Sequence, residues 1–107
     1  MKNTLFAIGE ALIDFIPDKY GCDILEVTAF SPKTGGAPAN VLGAFAKLGG
    51  KTHLCTQLGC DPFGDRLLSA FKKFNIGTQF ISRTSEANTA LAFVRADSSG
   101  ERTFSFY

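Results

Sequence analysis

Two short apolar runs, each stopping on a glycine, restrict this chain more than anything else in it: Thr4–Ile8 before Gly9 and Thr52–Leu58 before Gly59. Segments with helical spacing follow them. Residues 38–48 predict a helix, because Pro38 suits a first turn, Val41, Phe45 and Leu48 recur at i, i+4 and i+7, and Gly49 closes the pattern. Asp61 and Pro62 read as the N-cap and first position of a second helix, whose apolar face is Leu67, Leu68, Phe71 and Phe74, ending near Asn75 and Gly77. Buried strands alternating with amphipathic helices bury their faces best as helices on a parallel sheet. The expected class is therefore α/β, with residues 79–82 as a third short strand.

Four segments are left over: residues 11–16, 24–30, 89–95 and 102–107. The last two flank the turn-rich Asp97-Ser98-Ser99-Gly100 and read as a hairpin. Residues 11–16 and 24–30 alternate imperfectly between polar and apolar residues, and the two amphipathic pairs together predict a small second sheet beside the first. The final run, Arg102 to Tyr107, stops on aromatic residues in the middle of a strand pattern. Domains more often end on surface-tolerant residues, so a truncated chain is expected.

At 107 residues one domain is the most the chain can form. A net charge of +1 gives no electrostatic footprint for nucleic acid or an anionic membrane. Glu10 and Asp14 interrupt the N-terminal apolar run, which argues against a leader peptide, and no stretch is long enough to span a bilayer. Cys22, Cys55 and Cys60 have neither disulfide-framework nor zinc-ligand spacing, and a cytoplasmic location is expected. His53, the single histidine, sits in a strand pattern and reads as a packing or surface residue.

Leu48-Gly49-Gly50-Lys51-Thr52 resembles the end of a phosphate-binding loop, but the position five residues before Gly50 is Phe45 rather than glycine. The order is also reversed, a helix running into a strand. More informative is Gly35-Gly36-Ala37-Pro38-Ala39-Asn40. Glycines ahead of a helix leave backbone N–H groups open to polar ligand atoms, and the Asn40 amide can both donate to and accept from a hydroxyl. A tight turn with Asn40 as a structural hydrogen-bonder is an equal reading of the same residues. Asp14, between Ile13 and Phe15, could grip two sugar hydroxyls or simply face solvent. Gly59-x-Asp61-x-Phe63-Gly64 reads as a structural strand end, N-cap and close helix approach.

Taken together, Gly9-Glu10-x-x-x-Asp14, Gly35-Gly36-Ala37-Pro38-Ala39-Asn40-Val41 and Gly59-Cys60-Asp61-Pro62-Phe63-Gly64 resemble, in order and spacing, the ribokinase-like (PfkB) carbohydrate kinases. Thr89 to Ala96 and Gly100 to Tyr107 bring the resemblance closest to the bacterial fructokinases. It covers essentially the whole chain. The resemblance implies the N-terminal part of a three-layer α/β/α sandwich with a small β-sheet lid formed by residues 11–16, 24–30, 89–95 and 102–107. It implies ATP- and Mg2+-dependent phosphorylation of a primary hydroxyl of a sugar, with fructose ahead of 2-keto-3-deoxygluconate, ribose or a nucleoside. Asp14 resembles the family's hydroxyl-binding carboxylate, and Gly35, Gly36 and Asn40 its sugar-contact segment. Ala92 matches a lid position facing the sugar, and Phe104 and Phe106 resemble an apolar wall. A homodimer through lid strands is also implied.

The family's GAGD-type stretch, with its catalytic aspartate and anion hole, has no counterpart in residues 1–107. No catalytic residue and no metal or nucleotide site is therefore expected within them. The chain alone is expected to be the inactive sugar-binding half, the alternative being a non-catalytic sugar-binding or dimerisation module.

Overall fold

The computed structural model describes residues 3–107. In chain order its elements are β1 (Thr4–Ile8), β2 (Leu12–Pro17), β3 (Phe30–Gly35), α1 (Ala37–Lys47), β4 (Lys51–Gly59), α2 (Pro62–Lys73), β5 (Ile81–Thr84), β6 (Leu91–Ala96) and β7 (Arg102–Phe106). The body is a three-stranded sheet in the order β1-β4-β5; a second, four-stranded sheet in the order β3-β2-β6-β7 is labelled the lid after its expected role. Every pairing in the body is parallel, with Thr4 opposite Lys51 and Thr56 opposite Ile81. The expected α/β class and the second sheet are both present.

Leu54 and Leu58 of β4 point to one face, where Leu42 of α1 and Leu67 and Phe71 of α2 cover them. All five are essentially inaccessible to solvent. Burying a side chain of this size contributes about 1.5–3 kcal/mol, so this cluster anchors both helices. Ile13 belongs to the same cluster and ties the base of the lid to the body. The opposite face of the body sheet is open. There Phe6 and Ile8 are 50% and 79% exposed, and His53 lies between the rings of Phe6 and Phe80 with centroids 5.4 Å from each. His53 is thus a packing residue, although its buried Nδ1 has no hydrogen-bond partner among the described residues.

One expected strand is displaced. Residues 24–30 do not form a lid strand: Ile24–Glu26 is a short 3-10 turn, and the strand begins at Phe30 and runs to Gly35. Asp23 caps the turn by accepting a hydrogen bond from the Leu25 N–H at 3.3 Å, while Val27 N–H donates to the Ile24 carbonyl at 3.1 Å. Local side-chain capping therefore prevails over the strand pattern. Pro32 makes the true strand read as a loop, yet β3 is an edge strand, where a missing N–H is tolerated. The third body strand likewise lies at Ile81–Thr84 rather than 79–82.

The chain crosses between body and lid three times, after β1, between β3 and α1, and after β5. The crossings after β1 and β5 leave the carboxyl ends of parallel strands, the end of an open α/β sheet where ligands bind.

Candidate functional site

Asp14 lies in the middle of β2, with Lys33 opposite it on β3 and Ala92 opposite it on β6. Ala92 in turn pairs with Phe106 of β7. Residues in register across a sheet share a face, so Lys33, Asp14, Ala92 and Phe106 form one rung of the lid. Ala92 is fully buried, so it offers no surface to a ligand in this structure. Phe104 lies two residues from Phe106 on the same face, and their rings stack with centroids 5.9 Å apart. Phe104 is half-exposed and Phe106 more so.

Burial pushes the Asp14 carboxyl above its ordinary value, and the positive charge of Arg102 pulls it partly back. Among the described residues no hydrogen bond contributes to that balance, which leaves the carboxylate oxygens available to accept from a ligand.

Gly35 closes β3 next to this rung. A Cβ there would stand 2.8 Å from Asp14 Cγ, so only glycine lets the carboxylate occupy its position. Gly36 then starts α1 as a cap with φ +106°, a conformation glycine alone adopts easily. It provides no side-chain cap hydrogen bond. Pro38 has no N–H and that of Asn40 is bonded, so Ala37 and the buried Ala39 are the first-turn residues whose N–H groups lie ahead of the intrahelical bonds, at the positive end of the helix dipole. Asn40 follows in the first turn, exposed, its own N–H bonded to the Gly36 carbonyl at 3.2 Å.

The sequence-predicted residues thus fall into two groups. Asp14, Gly35, Ala92, Phe104 and Phe106 gather on one lid face, while Gly36 and Asn40 form the adjoining helix mouth. Asn40 also lines a groove with Lys33, Lys47 and Lys73, and Asp14 does not line it. Sequence reasoning missed Lys33 and Arg102. Arg102 precedes Phe104 by two residues and is legible as part of the same face; Lys33 is hidden in the segment that its neighbouring proline makes look irregular.

The carbohydrate-kinase family model described as the pfkB family matches residues 2–107. Among curated relatives, the chain is 44% identical to the probable fructokinase-5 of Arabidopsis thaliana, over all of this chain and 34% of that protein. Among solved structures, the fructokinase of Xylella fastidiosa superposes with a TM-score of 0.85 at 47% identity, over all of this chain and 33% of the other. A second structure of that fructokinase holds bound ATP and superposes with a TM-score of 0.83 at 46% identity, over all of this chain and 33% of the other. The chain spans about a third of the length of the relatives it matches. With its fold, its glycine-spaced motifs and the family match in agreement, the chain belongs to the pfkB family of carbohydrate kinases.

Proposed function

We propose that this chain forms the sugar-binding part of a fructokinase, which moves the γ-phosphoryl group of ATP to a primary hydroxyl of fructose. The observation that carries this reading is the rung Lys33–Asp14–Ala92–Phe106 set against Gly35. An ionised Asp14 accepts hydrogen bonds from two adjacent sugar hydroxyls. Asn40 and the α1 N–H groups fix the remaining polar edge, and Phe104 with Phe106 covers the carbon face. Such a clamp serves phosphoryl transfer by positioning the acceptor hydroxyl. The similarity to fructokinases at 44% and 47% identity supports fructose over the other sugars.

ATP supplies the phosphoryl group and Mg2+ neutralises its charge. Among the described residues no three His, Cys, Asp or Glu side chains gather where they could hold a metal. We assign both groups, and the catalytic base, to the part of the longer relatives that this chain does not span. The open body face with Phe6 and Ile8 is the surface that this part would cover. A second copy would pair through the lid, whose β7 edge carries Phe104, Phe106 and Tyr107, all exposed. Cys22, Cys55 and Cys60 are free thiols, which fits the cytoplasm. No helix among the described residues is long and apolar enough to cross a membrane.

The test joins residues 1–107 to the remaining segment of the Xylella fastidiosa fructokinase and measures ADP release with a panel of sugars. Turnover with fructose that is lost on Asp14→Asn supports the proposal. A folded chimera that turns over another sugar, or none, overturns it.

A further inference from the structure

The Gly59-x-Asp61-x-Phe63-Gly64 segment does more than start a helix. Asp61 Oδ1 accepts from the Gly64 N–H at 2.8 Å, the N-cap bond of α2, while Oδ2 accepts from the Thr89 N–H at 2.8 Å. Thr89 is buried, and its Oγ1 accepts from the Gly59 N–H at 3.0 Å. Arg83 closes the group, with Nε donating to the Gly59 carbonyl at 2.9 Å and a terminal nitrogen donating to Asp65 at 2.9 Å. Both glycines of the motif are spaces for this knot. A Cβ on Gly59 would stand 2.6 Å from Thr89 N, and one on Gly64 would stand 3.1 Å from Thr89 Oγ1.

Thr89 is the last residue but one before β6. The next residue, Ala90, accepts through its carbonyl from the Ile13 N–H at 3.2 Å, and Ile13 is the neighbour of Asp14. From Asp61 to Asp14 there are therefore two hydrogen bonds and two peptide links. A helix cap needs only one carboxylate oxygen, yet here the second is spent on the segment that carries the lid.

We propose that Asp61 is a positioning residue for Asp14: its carboxylate pins the Thr84–Leu91 crossing to the body and so fixes the β2–β6 pair that presents Asp14 to the sugar. This rests on reading Asp14 as a sugar ligand, and the two can be tested apart.

The test is hydrogen–deuterium exchange on the 107-residue chain with two variants that keep the helix cap. Asp61→Asn can still accept from Gly64 but turns an NH2 toward the Thr89 N–H; Asp61→Ser still caps but is too short to reach Thr89. In both, exchange at the Ile13 and Leu91 amides should rise about tenfold while Leu54 and Leu58 of β4 keep their rates. Fructose, titrated by isothermal calorimetry, should bind about tenfold more weakly. Unchanged lid rates, an equal rise across body and lid, or unaltered fructose affinity in a variant with a freed lid overturns the proposal. Should neither variant fold, the unaltered chain decides it: Thr89, Ile13 and Leu91 must exchange together, and a Thr89 amide that opens well before Ile13 refutes the pin. Asp14→Asn should abolish fructose binding and leave the lid rates alone. If even the unaltered chain ignores fructose, the sugar reading fails while the exchange result still judges the pin.

Discussion

The carboxylate of Asp14 stands over the bare Cα of Gly35, one diagonal step across the β2–β3 ladder, in which Gly35 itself pairs with Leu12. A methyl group at Gly35 would meet Asp14 Cγ at 2.8 Å and Leu12 Cδ1 at 2.9 Å. The glycine keeps the carboxylate in place by its lack of a side chain. Gly35 does not have a positive φ, so alanine costs only the crowding, about 1–3 kcal/mol. The displaced group is the proposed sugar ligand. Gly35→Ala should therefore weaken fructose binding by more than about tenfold in a chain that still unfolds cooperatively. Calorimetric titration beside a thermal melt checks both halves.

Gly36→Ala should fail for a different reason. Here φ is +106°, and the new Cβ would stand 2.6 Å from the backbone oxygen of Glu10, which cannot swing aside. Gly100 has a comparable φ of +88° but open space around it. Gly100→Ala thus measures backbone strain alone, about 1–2 kcal/mol, and Gly36→Ala strain plus collision. Urea unfolding should place the Gly36→Ala midpoint clearly below that of Gly100→Ala; equal midpoints would show that the crossing is loose.

What could be read from the residues, and what could not, follows from the range of the forces involved. The body strands β1 and β4 and both helices are written locally, in glycine-bounded apolar runs and in Asp61, which caps α2 as its sequence position predicts, whereas β5 carries no such run and lies two residues beyond its expected place. The lid strand Phe30–Gly35 is not, because its polar, proline-containing residues become a strand only through pairing with Leu12–Pro17. The site shows the same division. Asp14 and the paired glycines were legible as unusual residue choices, whereas their contact is a cross-strand diagonal that no linear spacing encodes. The pin from Asp61 to Thr89 joins residues 28 apart in sequence and was invisible for that reason.

Fructose binding should depend on pH through Asp14. Burial holds its carboxyl above the usual value and Arg102 partly offsets this. Only the ionised form accepts hydrogen bonds from two hydroxyls, so affinity should fall on acidification at a pH above the ~3.9 of an unperturbed aspartate. Arg102→Gln should move that fall to higher pH, because the offsetting charge is gone. The stability contribution has the opposite sense: a raised folded-state value means that the folded chain gains stability as Asp14 protonates. Titrations of fructose affinity across the acid range, with and without Arg102→Gln, check the sign; a profile unmoved by the variant would remove Arg102 from the site.

Asp61 should give the reverse dependence. Burial raises its carboxyl, but the N–H groups of Thr89 and Gly64, the Thr89 hydroxyl and the Arg83 charge outweigh it, and the balance is downward. A depressed folded-state value contributes stability that is complete above the unfolded value of ~3.9 and is lost as pH falls through the lower folded value. Asp97 carries the same sign, held down first by the Ser99 hydroxyl, so the difference between unaltered chain and variant is what isolates Asp61. At neutral pH Asp61→Ala should cost the N-cap contribution, about 0.5–2 kcal/mol, together with the bond to Thr89. Asp61→Asn should keep most of the cap and lose the acid-side loss of stability that Asp61 adds. Chemical denaturation of the three proteins at neutral and acid pH tests this, and an Asp61→Asn chain that loses as much stability on acidification as the unaltered one would mean that the carboxylate charge does not hold the lid crossing.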